Sequence, residues 1–165
     1  MSRVITFSRT FPSYHPKKGQ PTYFIEKIWK SLGGVSREFT DPFVIGQDFK
    51  KSIVWGYQLV EGVKYHTIRS GKRWKVGDKF SPRVWSGKPY NSKMITIAPD
   101  IEIRKVWDFE MDGRVFYIDG KYYLYTHLNE VATNDGLILE ELLQWFKYPG
   151  IFQGQIICWN ENINY

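Results

Sequence analysis

The chain has 165 residues, 42% hydrophobic and 24% charged, which suits one domain with a sizeable core and excludes a low-complexity chain. No run of about eighteen apolar residues occurs, so no segment reads as a membrane span, and the lone Cys158 excludes an internal disulfide. The net charge is +6 but unevenly placed: residues 64–93 hold nine Lys or Arg and one acid, for +8, while the remainder carries −2.

The opening MSRVITFSRTF is too polar for a secretory signal, and with a single cysteine it suits a reducing cytoplasm. Val4 to Phe7 reads as a short strand, followed by a loop rich in proline, RTFPSYHPKKGQP. Pro21 fits the first position of a helix whose apolar face is Phe24, Ile25, Ile28, Trp29 and Leu32, closed by Gly33-Gly34. Beyond Val63 the pattern turns to strands. Val63, Tyr65, Thr67 and Arg69 alternate with Lys64, His66 and Ile68, and Gly77-Asp78 reads as a turn into the next strand. KMITIA at 93–98 and the series Ile101, Ile103, Trp107, Phe109 continue the theme. RVFYIDGKYYLY predicts a hairpin, since Asp119-Gly120 suits a two-residue turn with positive φ. A second helix covers about Leu139 to Phe146, ended by Pro149-Gly150, and FQGQIICW returns as a last strand. The expected class is α+β: a strand-rich body curled into a small barrel, with helices outside it.

The imidazole and thiol groups are His15, His66, His127 and Cys158, and no two share a chelating spacing, so no metal is expected. No glycine-rich phosphate loop occurs either, and no cofactor is expected. The charge block offers more. Arg69, Lys72, Arg73, Arg83 and Lys88 are set among Trp74, Trp85 and Tyr90, and cations interleaved with rings suit a surface that holds phosphate and stacks a base. A solvated face would intersperse both signs, so an anionic partner is the preferred reading. Trp74 is expected to cover the barrel. Lys64 and Thr67 are three apart and meet only if Lys64 sits in the loop before the strand, or if a bulge re-aims one of them. His66 falls on the other face from Thr67, as a packed or surface histidine.

KYHTIRSGKRWKVGDKF, followed some sixty residues on by ATNDGLILEELLQWF, resembles the ASCH family of the PUA-like superfamily. The likeness covers about residues 45–165, and residues 1–44 read as a strand, loop and helix extension packed on that domain. It implies a small PUA-like β-barrel with flanking helices, whose relatives bind RNA or modified nucleobases. One branch is similar to a bacterial amidohydrolase that deacetylates N-acetylated cytidine. Its functional Lys and Thr match Lys64 and Thr67, and its Glu corresponds to Asp135, one methylene shorter.

Two functions follow as expectations. The first is an ASCH-type domain binding RNA or a modified nucleobase or nucleotide in a cationic, aromatic-lined cleft. The alternative is an amidohydrolase using Lys64, Thr67 and Asp135. Lysine is a base only when neutral, which Arg69, Lys72 and burial would favour and a nearby carboxylate would oppose. In the simpler reading Lys64 contacts a phosphate, Thr67 lines the barrel and Asp135 belongs to a turn leading into a helix. Oligomeric state is not legible.

Overall fold

The computed structural model describes residues 2–44, 57–147 and 150–165. In chain order come β1 (Arg3–Thr6), α1 (Phe24–Ser31), α2 (Arg37–Val44) and a 3-10 turn at Tyr57–Leu59. The strands β2 (His66–Ser70), β3 (Lys79–Trp85), β4 (Met94–Thr96), β5 (Ile101–Glu102), β6 (Lys105–Asp112), β7 (Val115–Ile118) and β8 (Lys121–Tyr123) follow. The helices α3 (Tyr125–Asn134) and α4 (Leu139–Trp145) then lead to β9 (Phe152–Cys158). With 23% helix and 32% strand neither type dominates, and the class is α+β.

The chain forms two compact units, Met1–Val63 with Lys79–Ile101, and Lys64–Asp78 with Glu102–Tyr165. In the first, β1 runs parallel to β3 with Arg3 opposite Phe80, and β4 runs antiparallel to β3 with Trp85 opposite Met94. The short β5 also pairs with β3. Helix α1 exists because its apolar positions recur at helical spacing: Phe24, Ile25, Ile28 and Trp29 are all buried. Trp29 is the anchor. Its Nε1 donates to the Ile97 carbonyl at 2.6 Å, and its ring meets Phe43 and Tyr57 edge-on. The helix starts at Phe24 and not at Pro21, because Tyr23 takes a left-handed conformation (φ 57°) and Pro21 forms a bridge with Thr10. It ends as expected: the Gly34 amide donates to the Trp29 carbonyl while Gly33 adopts φ 74°. Helix α2, which carries Pro42 inside it, has no counterpart in the sequence reading.

In the second unit the strand order is β2-β9-β6-β7-β8, antiparallel throughout. The β7–β8 hairpin turns at Asp119 and Gly120, both with positive φ (51° and 76°), as the Asp-Gly pair requires. Leu128, Val131, Ala132 and Leu142 of α3 and α4 are buried, and the Phe146 ring packs on Phe109 and Phe152. Gly154, in β9 opposite Ser70, has no room for a side chain: a Cβ there would overlap the Arg69 carbonyl oxygen. Pro149, expected to end the second helix, lies outside the described residues, as does the stretch 45–56 at the start of the family likeness.

Among the described residues the closed barrel expected from the sequence is not found. Closure needs the two end strands of a sheet to pair, and here β2 and β8 remain the ends of the second unit's order. The chain entering β2 meets the end of α3 instead of a strand: Lys64 bridges Asp135, and the Tyr65 amide donates to the Asn134 carbonyl at 2.8 Å. At the other end, β8 passes directly into α3.

Candidate functional site

Register places the polar residues of the second unit. His66 lies opposite Cys158, and Thr67 opposite Ile157, so successive β2 residues point to opposite faces of the sheet. Lys64 precedes β2, in the loop, and shares the side of His66 through the two-residue period. Asp135 caps the C-terminus of α3, in the turn between α3 and α4, and is not simply the lead-in to a helix. The bridge between Lys64 and Asp135 brings these groups together.

The Lys64 ammonium donates to Asp135 Oδ1 at 2.8 Å and to the Asp135 carbonyl at 2.7 Å. Lys64 is 1% exposed, Asp135 5% and His66 not at all, so the ion pair sits away from water. Burial alone would raise the Asp135 carboxyl, but the Lys64 charge and His66 outweigh it and hold the group below its ordinary range. Asp135 is therefore an anion, and Lys64 is its cation. For His66, burial pushes the imidazole down and the Asp135 carboxylate only partly opposes, which leaves the ring neutral at pH 7.

Hydrogen bonding assigns the tautomer. Asn134 Nδ2 donates to the Tyr165 hydroxyl at 2.9 Å, and that hydroxyl lies 2.8 Å from His66 Nε2. The other ring nitrogen, Nδ1, faces the Asp135 carboxylate, which only accepts, so the proton of the neutral ring belongs on Nδ1 and Nε2 accepts from the phenol. The ring proton is then on Nδ1, which faces Asp135 Oδ1 at 3.3 Å, outside good hydrogen-bond geometry. The result is a chain of groups, buried at Lys64, Asp135 and His66 and half-buried at Tyr165, with Trp107 packed on the Tyr165 ring at 4.9 Å.

Thr67 is buried on the opposite face, with no hydrogen bond to Lys64 or Asp135 among the described residues. Arg69 is on the face of Thr67; burial lowers its guanidinium to about 10, with Asp135 opposing, so it stays charged at neutral pH. Trp74 is buried, and its amide and carbonyl both bond the side chain of Gln155. Lys72 is exposed and paired with Asp108 at 2.6 Å, at a groove of about 510 Å³ that also presents Glu110 and Asp119. That setting is acidic, unlike a phosphate-facing surface. Arg73 is exposed, its guanidinium 5.6 Å from the Trp74 ring centre.

Arg83, Trp85, Lys88 and Tyr90 belong to the first unit. Arg83 Nε donates to Ser81 Oγ at 3.1 Å, the Trp85 and Tyr90 rings lie 5.2 Å apart, and Lys88 is exposed. The charge divides with the units: the first holds thirteen Lys or Arg against six acids, the second ten against eleven. The 64–93 block is thus shared between two units whose net charges differ in sign.

His66, Asn134 and Tyr165 were missed as members of the cluster. The signal for His66 was its position two residues from Lys64; nothing in the sequence marks Asn134 or Tyr165. Among the described residues no group of three or more His, Cys, Asp or Glu is placed to hold a metal ion. No helix among the described residues is long and apolar enough to cross a membrane. Compared with known proteins, the chain matches no family model, and no curated protein or solved structure matches it significantly.

Proposed function

We propose that the chain is an ASCH-type PUA-like domain, with an open sheet, that binds RNA or a modified nucleobase or nucleotide. The coupling of Lys64 to Asp135 carries this reading: the positions matched to the family's lysine and acid meet in a buried ion pair although 71 positions separate them. Stability alone is a poor reason for such a pair, because well-packed apolar residues of similar volume are often as stable or more so. Recognition is a better one. Buried as it is, the pair does not itself touch a ligand; it fixes the chain entering β2 against the end of α3, a rigid junction from which neighbouring groups can be presented to a base.

The hydrolytic alternative has less support. Paired with an ionised Asp135, Lys64 is a donor and not a base, and Thr67 lies on the other face of β2. Calorimetric titration of cytidine, N-acetylated cytidine and other nucleosides into the full chain tests the reading. At least one should bind, and Asp135→Asn should weaken it by about tenfold, because the junction between β2 and α3 loses its charged hydrogen bond to Lys64. Binding of none, or binding indifferent to Asp135→Asn, overturns it. Release of acetate from N-acetylated cytidine would restore the hydrolase.

A further inference from the structure

The connection between β3 and β4 in the first unit is a built loop with an exposed aromatic tip. The Ser86 amide donates to the Lys93 carbonyl at 2.8 Å, the Gly87 amide to Ser92 Oγ at 3.0 Å, and Ser92 Oγ to the Lys88 carbonyl at 2.9 Å. These bonds hold Tyr90 at φ 63°, a left-handed conformation that glycine takes freely and a bulky side chain rarely does. Yet Tyr90 is 88% exposed, so core packing does not explain a tyrosine at this point. Its ring sits 5.2 Å from that of Trp85, tilted by 49°, which leaves the Tyr90 ring open to solvent. A strained residue whose side chain is presented to water is a reason to look for a ligand.

The surroundings indicate which ligand. Residues 79–99 contain no acid, and Lys88 and Lys93 are exposed with no ion pair among the described residues. Arg9 reaches the Ser86 carbonyl at 3.5 Å, adding a third cation at the base of the loop. An open ring flanked by cations fits a base stacked on the ring with phosphates on either side. A membrane surface would call for exposed aliphatic anchors, and the only other large apolar side chain exposed in 79–101 is the partly exposed Met94.

We infer that the β3–β4 loop docks single-stranded nucleic acid, one base stacking on Tyr90 and the neighbouring phosphates facing Lys88, Lys93 and Arg9. The inference rests on the reading above in taking a base-bearing ligand, and it makes that ligand a strand and not only a free nucleoside. Stacking plus phosphate contact reads neither sequence nor sugar closely, so RNA and DNA strands should bind alike.

The test is fluorescence anisotropy with the full chain and labelled oligouridylate or oligothymidylate of about ten nucleotides at about 50 mM salt. Tyr90→Gly, which suits the backbone and so preserves the fold, should weaken binding about tenfold. Lys88→Ala with Lys93→Ala should flatten the log–log salt dependence by about 1.4, from about 0.7 per phosphate on a single strand. Strand binding that none of these changes affects overturns the inference, as does recruitment to anionic phosphatidylserine vesicles through Tyr90 without strand binding. Nucleoside titration separates this outcome from the preceding one. Loss of nucleoside binding in Asp135→Asn with strand binding indifferent to Tyr90 sinks the loop alone, and the opposite pattern sinks the buried site alone.

Discussion

The Tyr165 hydroxyl stands between Asn134 and His66, accepting from the amide at 2.9 Å and donating to Nε2 at 2.8 Å. Protonating His66 turns Nε2 into a donor, and the phenol must then turn its own proton away into buried surroundings. The His66 pKa is lowered in the fold, so the unfolded chain takes up a proton first as pH falls below about 6.5. The stability supplied by neutral His66 is present above that value and is lost as pH falls toward the folded-state value. Urea unfolding over a pH series should show the gap between wild type and His66→Gln shrinking from pH 7 to pH 5. A gap independent of pH would contradict the assigned neutral ring.

Glu26 has the opposite dependence. It is buried on α1, and burial raises its carboxyl from 4.5 to about 7, against smaller lowering effects of its own backbone, Lys27 and Arg9. The folded chain therefore holds a proton that the unfolded chain has lost, and this contribution is full below about 4.5 and gone above about 7. The difference corresponds to roughly 3 kcal/mol. Glu26→Gln, which cannot ionise, should gain on wild type by up to that amount between pH 5 and pH 8. Equal pH profiles for the two proteins would show that Glu26 ionises normally.

Removing one partner of the Lys64–Asp135 pair leaves the other charge buried and unanswered. Lys64→Met and Asp135→Asn should each destabilise, the first by about 3–5 kcal/mol and the second by less, because an amide still accepts a hydrogen bond. Lys64→Met combined with Asp135→Leu should recover part of the loss. A double-mutant cycle on chemical unfolding measures the coupling; additive losses would mean that the two groups act independently.

Gly154→Ala should be among the most damaging single-methyl changes in the chain. The added Cβ would strike main chain, the Arg69 carbonyl, so a rotamer change offers no relief and β2 must move away from β9. Overpacking of this kind costs about 1–3 kcal/mol or more. Thermal unfolding should show a clear drop in melting temperature, and amide exchange should accelerate across His66–Ser70. A small drop with unchanged exchange would mean that the two strands adjust without cost.

Periodicity made most of the strands legible. The alternation in 63–69, the Asp119-Gly120 turn and the apolar run in FQGQIICW each state their conformation locally, and β2, the β7–β8 hairpin and β9 follow. Helix α3 was not legible, since its buried side is only Leu128, Val131 and Ala132 and its caps make no side-chain bond. Its importance comes from tertiary placement: its last turn delivers Asn134 and Asp135 to the chain entering β2. The site was half legible for the same reason. Lys64 and Asp135 were singled out by a resemblance, while strand alternation made His66 a packed or surface residue; alternation says where a side chain points but not what meets it there. The charge block crosses a boundary that the sequence does not mark: Asp78 divides it between two units.

The interleaving of the units sets the order in which the chain becomes foldable during synthesis. All of the first unit has been made once Ile101 is added, whereas β2, already made by then, has β9 as its only strand partner among the described residues. The ribosome must therefore expose HTIRS as an unpaired edge while the rest of the second unit is translated. Lys64 and His66 wait with it, hydrated, until Asp135 arrives, and the strand is secured only when β9 follows. A chain stalled between α4 and β9 would carry a finished first unit and an open, sticky second one, a form that chaperones and proteases recognise by its exposed edge.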